Sequence, residues 1–257
     1  MNSPSKVYDE NGTLKQEYWL NDDLKFHRQG GSALINYDGY GKVYDEHWYI
    51  NGVCHREGGP AMISYYTNGK IQEEYWRIDG ELHREDGPAV ISYFPDGSVY
   101  EKCWYINDVR HREGGPSYIA YHKSGDVRIM RWDVNGLYHR ENRPALISYY
   151  KNGNIKEKIF YINGKLHREN GPAAIYYDEH VYGHIEEEGW FNNGKSHRED
   201  GPAIIVNYKH RDKCFRWYID ENNITDEVNR WIKKNNLPDW KDWSNREKAM
   251  FKLKFIK

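Results

Sequence analysis

The chain has 257 residues, of which 30% are charged, 16% aromatic and 38% hydrophobic in all, with a net charge of −2. So little aliphatic material excludes a thick globular core, while 23 Tyr and 10 Trp exclude the aromatic-poor composition of a disordered chain. The near-balanced charge supplies no global field to gather nucleic acid or an anionic membrane surface.

The N-terminal stretch MNSPSKVYDENG lacks a basic region followed by an apolar run, and no stretch approaches the length of a membrane span, so neither export nor spanning is expected. Residues Lys6 to Trp19 read as the second half of a repeat unit, with Asn11-Gly12 as its turn. His-Arg pairs then stand at His27-Arg28, His55-Arg56, His83-Arg84, His111-Arg112, His139-Arg140, His167-Arg168 and His197-Arg198. The chain is therefore a repeat array of about seven units of 28 residues, the sixth longer by two.

Within a unit, Ala61, Ile63 and Tyr65 alternate with Met62, Ser64 and Tyr66, and an Ile recurs at 35, 63, 91, 119, 147, 175 and 205. Period-two alternation predicts a strand with one buried face. Gly41, Gly69, Gly97, Gly125 and Gly153 follow, mostly after Asn, Asp or Ser, and predict a hairpin turn. The second strand carries a large aromatic: Trp48, Trp76, Trp104, Trp132, Phe160 or Trp190. A second turn, such as Asn51-Gly52 or Asn163-Gly164, leads back to the next His-Arg.

One such unit cannot stand alone. Five inward side chains at ~2 kcal/mol each do not offset the ordering of 28 residues at ~1 to 2 kcal/mol apiece, so units must stack. The fold class predicted is an all-β repeat: an elongated, open antiparallel meander of about fifteen strands, preferred over a barrel with an unfillable lumen or a propeller with too few residues per blade.

The array is expected to span 1–220, with a helical cap at 221–257. Thr225 is placed to cap a helix that lines up Val228, Trp231 and Ile232, ending at Asn235-Asn236-Leu237-Pro238. Ser244 and Glu247 form a capping box for a second helix, with Ala249, Met250 and Leu253 on one side. Cys54, Cys103 and Cys214 make no C-x-x-C spacing, which argues against a disulfide framework or zinc knuckle and for a reducing, cytoplasm-like compartment.

The run YINGKLHRENGPAAIYY at 161–177 resembles the MORN-type hairpin repeat, in a longer variant found in bacterial, phage and giant-virus proteins. The resemblance covers roughly 7–219; the HRExGPA form and the C-terminal piece from NNLPDW to FKLKF look most like proteins of large DNA viruses. It implies a single-layer sheet that serves as a scaffold or dimerisation surface, in host cytoplasm or virion. The lipid contacts proposed for such arrays are not carried over, because His-Arg-Glu-x-Gly-Pro replaces the usual glycine-rich step and the charge is balanced.

Four sets of residues invite a functional reading. The His-Arg ladder reads as structural, since units ~10 Å apart cannot share a zinc ion with bonds of about 2 Å; Arg pairing with the following Glu, or stacking on aromatic rungs, would pin the turn. The loop DEHVYGH brings together Glu179, His180 and His184, a donor set for a divalent metal and hence for a hydrolase or nuclease, against the plain reading of a solvated insertion. Lys123, Arg128, Arg131, Arg140 and Arg143 form a basic stretch that would suit phosphate or nucleic acid, against a solvated face crossed by Glu113 and Glu141. Tyr49, Tyr105, Tyr161, Phe191 and Tyr218 form an aromatic stripe expected on the second face of the sheet, a protein-binding surface unless Lys and Arg stems cover it. Even repetition without a unique reactive constellation favours a non-enzymatic scaffold for a protein partner or for its own copy, without a cofactor.

Overall fold

The computed structural model describes residues 3–209 and 212–256. The chain forms two compact units, Met1–Gly136 and Leu137–Lys257. In both, the longer strands follow one another in sequence order as an antiparallel meander. The first unit carries ten of them, from Ser5–Tyr8 to Val127–Arg131, and the second six, from Leu146–Tyr149 to Cys214–Arg216. Among the described residues neither meander closes on itself, so the fold is the open all-β repeat and not a barrel.

Residues 62–75 show how a hairpin is made. Met62–Tyr65 pairs with Ile71–Tyr75 in the register Met62↔Tyr75, Ile63↔Glu74, Ser64↔Glu73, and a bulge then sets Tyr65 opposite Ile71. Gly69 closes the turn at φ 82°, a conformation that costs a side-chain-bearing residue energy. The same bulge recurs in the hairpins starting at Leu34, Val90, Tyr118, Leu146 and Ala174, so each copy twists alike.

Two details differ from the sequence expectation. First, the aromatic does not sit inside the second strand; the strand ends one residue before it. The Trp48 N–H donates to the Ala61 carbonyl of the following hairpin at 2.8 Å, while its own carbonyl accepts the His55 N–H at 3.0 Å. The chain then makes a second, two-residue hairpin: Tyr49–Ile50 with Val53–Cys54, Arg77–Ile78 with Glu81–Leu82, Tyr105–Ile106 with Val109–Arg110, and likewise from Tyr161, Phe191 and Tyr218. These lie outside the main sheet. Asn and Asp at the head of each tight turn adopt φ near +50°, as at Asn51, Asp79, Asn163 and Asn193, which is why Asn-Gly and Asp-Gly recur there.

Second, burial is not confined to one face. Ala33, Ala61, Ala89, Ala145, Ala173 and Ala203 are fully buried, but Ile63, Ile91 and Ile119 on the same face are only half-buried. On the opposite face Leu34, Val90, Ser92 and Ser148 are buried. A single-layer sheet has no thick interior, and its alternate residues share the work of shielding the backbone.

The meander ends in two helices, α1 (Thr225–Lys234) and α2 (Asn245–Phe255). Ser244 and Glu247 form the expected reciprocal capping box. Thr225 does not cap α1, whose N-cap is Ile224. Its Oγ1 accepts the Trp217 N–H at 2.9 Å, a donor that earlier repeats give to the next alanine carbonyl. Ile224 in turn donates to the Trp217 carbonyl as His55 does to Trp48 and His197 to Trp190. Ile224-Thr225 thus stands where His-Arg would, and the repeat is stopped from within its own frame.

Trp217, Val228, Trp231, Trp243 and Phe251 make the one thick apolar cluster among the described residues. The predicted α2 stripe is corrected here: Phe251 is the buried residue, while Leu253 is 86% exposed and Met250 is also on the surface. No helix among the described residues is long and apolar enough to cross a membrane.

A β-carbon on Gly87 would lie 2.8 Å from the Arg84 guanidinium. Gly87→Ala is expected to displace that group from Trp76 and cost about 0.5 to 1 kcal/mol, the range for an exposed cation–π contact, measured as a lowered urea midpoint.

Candidate functional site

The His-Arg ladder is built from three contacts per repeat. The guanidinium lies over the aromatic ring that precedes it: Arg28 on Trp19 at 3.7 Å, Arg56 on Trp48 at 4.1 Å, Arg84 on Trp76 at 3.6 Å, Arg112 on Trp104 at 4.0 Å, Arg168 on Phe160 at 4.1 Å and Arg198 on Trp190 at 3.9 Å. Its Nη1 donates back to the carbonyl four residues on, as from Arg56 to Pro60 at 3.0 Å and from Arg140 to Pro144 at 3.2 Å. The flat group then fills the space beside the glycine that precedes Pro in five of the seven loops.

The His side chain reaches the next repeat. Nδ1 accepts a backbone N–H from the turn of the following short hairpin: His27 from Asn51, His55 from Asp79, His111 from Asn135, His139 from Asn163, His167 from Asn193 and His197 from Asp220, at 3.1 to 3.3 Å. His83 instead meets the Asn107 side chain at 2.6 Å. Two backbone bonds flank this one. The residue before His offers its carbonyl to the same turn, as Phe26 to Gly52 and Tyr138 to Gly164, and the Arg N–H donates to the next hairpin, as Arg84 to Tyr105 and Arg198 to Tyr218. The short hairpins are thereby strung together as a second ladder.

The glutamate that follows six of the seven pairs is not part of these hydrogen bonds, although Glu85 and Glu199 lie 3.8 and 3.7 Å from Nε2 of His83 and His197. Glu57, Glu85, Glu113, Glu141 and Glu169 are exposed. Arg84 and Arg198 pair with Asp86 and Asp200, one residue further on, at 2.8 and 2.7 Å. Between successive loops runs a groove of about 450 Å³, lined by Arg28, Gly31, Trp48, His55, Arg56 and Glu57 among others.

The aromatic stripe falls on the short hairpins, and every member is half-buried. Tyr49 packs against Phe26 and His47, Tyr105 accepts a hydrogen bond from Arg110 at 2.9 Å, and Tyr161 stacks on Tyr138 at 4.7 Å. Phe191 packs against the Phe160, Ala173, Ile175 cluster, and Tyr218 accepts from Asn223.

The basic stretch divides between the two units. In the first, Arg131 binds Asp133 at 2.6 Å, Arg128 contacts Tyr100, and Lys123 is exposed. In the second, Arg140 is bound to Pro144, and Arg143 is exposed where other repeats have glycine. The loop after Tyr177 is organised by a residue outside the predicted donor set: Asp178, 4% exposed, accepts from the His180 and Val181 N–H groups at 2.6 and 2.8 Å and pairs with Lys209 at 2.9 Å. Lys209, then the backbone donors, hold its carboxyl far below the usual range. Glu179 and His180 face solvent while His184 turns inward, and among the described residues no three His, Cys, Asp or Glu side chains are grouped to hold a metal.

Sequence reasoning missed a set of tyrosine–carboxylate bonds on the sheet. Tyr37, Tyr65 and Tyr93 donate to Glu17, Glu46 and Glu74, all at 2.7 Å. The signal was available, because each of these Glu stands two residues before a Trp. Burial and then the carboxylate bond push these hydroxyls upward, Tyr37 to about 12, and Tyr75 beside Glu73 likewise to about 12. The buried pair Ser117–Asp133, 2.7 Å apart, was missed as well; it is a polar variant of the Ala and Tyr that other repeats place there.

Comparison with known proteins finds a likeness over three stretches of the chain. The family described as MORN repeat variant matches residues 2–18, 61–75 and 146–163. No curated protein matches the chain. Among solved structures, the crystal structure of a GtfA/B complex bound to UDP and GlcNAc is similar over 82% of this chain and 26% of that one, at 8% identity and a TM-score of 0.14. This chain thus spans about a quarter of that protein, and so low a score carries no functional argument.

Because the folded tyrosines hold their protons more tightly than unfolded ones, their contribution is full below about pH 10 and is lost as pH rises through the folded values. The urea midpoint is expected to fall between pH 10 and 12, and Tyr37→Phe with Tyr75→Phe to flatten that fall. Asp178 has the opposite sign: its contribution is present above the ordinary carboxylate range and is lost as pH falls. Asp178→Ala is expected to speed amide exchange at His180 and Val181 while leaving Ile63 and Ile91 unchanged.

Proposed function

We propose that this protein, which carries MORN-variant repeats, is a non-enzymatic binding or assembly scaffold, with residues 221–257 as the cap that ends the array. The observation that carries this reading is how its polar groups are used. The ladder imidazoles bond a neighbouring turn and the guanidinium groups cover neighbouring rings. A reaction centre requires unlike groups converging on one point, and the repeat copies like groups at even spacing instead.

The hydrolase reading is disfavoured by the loop at 178–184, where the buried carboxylate is committed to Lys209 and two backbone amides. The nucleic-acid reading is disfavoured by Arg131, committed to Asp133. The HRExGPA form of the repeat supports a viral or phage factor acting in host cytoplasm or virion. The short hairpins, with Tyr49 and Tyr105 in the first unit and Tyr161, Phe191 and Tyr218 in the second, offer half-covered aromatic rings to a protein partner or to a second copy.

The test is capture from the native source followed by reconstitution with the purified partner. A saturable, stoichiometric complex is expected, weakened about tenfold by Tyr105→Ala or Tyr161→Ala with far-UV circular dichroism retained. Unchanged affinity removes the aromatic surface, and a metal-dependent hydrolytic activity in the purified protein overturns the scaffold.

A further inference from the structure

The second unit contains a version of the loop groove with a lysine of the cap in its lining. Between the loops at 167–171 and 197–200, the groove is lined on one side by Lys252 of α2, whose ammonium sits 2.9 Å from Glu199 Oε2, while His197 Nε2 lies 3.7 Å from the other oxygen. Lys252 is 53 residues away in sequence, so this is a docking contact and not a property of the loop. The first unit has the same groove, with Arg28, Gly31, Trp48, Arg56 and Glu57 in the roles of Arg168, Gly171, Trp190, Arg198 and Glu199. The Glu85 side chain is 87% exposed, against 48% for Glu199 under its lysine.

From this we infer that the groove over residues 28–57 and the loops that repeat its sequence at 83–87 and 111–115 bind a basic, extended segment of a partner protein, one lysine to each loop, with the ammonium groups on Glu57, Glu85 and Glu113. The inference rests on the scaffold reading and supplies the chemistry of its partner. The groove arginines do not bar a cation, since Arg168 and Arg198 line the same groove as Lys252; their planes are turned onto Phe160 and Trp190.

Spacing selects the conformation of the ligand. Successive loops are two strand widths apart, ~9.6 Å. A polyproline II segment turns once in three residues and advances ~9.3 Å, so a lysine at every third position falls on one side and in step with the loops. A β-strand throws every third side chain to the opposite side. A helix needs seven residues to advance ~10.5 Å and drifts out of step; α2 itself reaches its acidic loop through Lys252 at 199.

The experiment uses the full chain and a synthetic peptide, four repeats of Pro-Pro-Lys, titrated calorimetrically at low and physiological salt. Binding is expected, weakening as salt rises. Glu57→Gln, Glu85→Gln and Glu113→Gln together should weaken it about tenfold with an unchanged thermal midpoint. A peptide of equal length and charge with lysine at every fourth position should bind more weakly, as should a helical peptide with lysine at every seventh. Equal binding by the triple variant, or indifference to lysine spacing, overturns the proposal. A native partner retained equally by wild type and triple variant leaves the scaffold standing and removes this site; absence of any retained partner removes the scaffold itself.

Discussion

The structure depends on a guanidinium held flat between an aromatic ring and a glycine. A single-layer sheet offers its large side chains only one neighbour to pack against, and a Trp left bare on such a sheet would invite aggregation. Arg56 on Trp48 and Arg84 on Trp76 solve this with a cover that is apolar over its plane and polar at its rim. The rim is satisfied by the Pro carbonyl of the same loop. Glycine leaves that space open, since a β-carbon at Gly59 or Gly87 would lie 2.8 Å from the guanidinium, and only the repeat with Arg143 departs from it among the seven loops. At the C-terminal end the guanidinium is replaced by the Trp243 ring, stacked 5.6 Å from Trp217. The same need is met there by different chemistry.

Once the ring is covered, the rest of the repeat follows. The loop bends the chain out of the sheet, and the short hairpin that precedes each His lies within reach of the next. Histidine is suited to that junction because one ring nitrogen accepts a backbone N–H that the positive-φ turn leaves without a strand partner. The array is therefore joined twice, by the long strands and by the chain of short hairpins. Each copy leans on the one beside it, and stability becomes a sum over neighbours.

This economy also shapes what the surface offers. Groups that usually signal chemistry are consumed by the framework, while the carboxylate that follows six of the seven pairs takes no hydrogen bond within the ladder and touches it only where Glu85 and Glu199 approach their histidines. Repetition converts that one spare group into a row with a fixed spacing, and a row recognises length and period better than it recognises a small molecule. The contact between Lys252 and Glu199 shows the chain using one such group on itself.

The sequence alone determined the repeat, its register, the hairpin turns and the capping box, because each is local: alternation, Asn-Gly and Gly positions, and Ser-x-x-Glu act within a few residues. The site was only partly legible. The ladder could be enumerated and an Arg-on-ring contact anticipated, but the His acceptor bonds could not, since their partners lie 23 to 26 residues away in a hairpin whose existence the strand pattern hides. Tertiary structure decided that both sheet faces would be half-buried, that Thr225 would take the place of the next carbonyl and not cap its helix, and that Asp178 would govern the loop credited to Glu179, His180 and His184. The reason is common to all three. Burial in a single layer is set by the neighbouring copy at a distance of one repeat, and periodicity within a copy does not specify what that neighbour leaves uncovered.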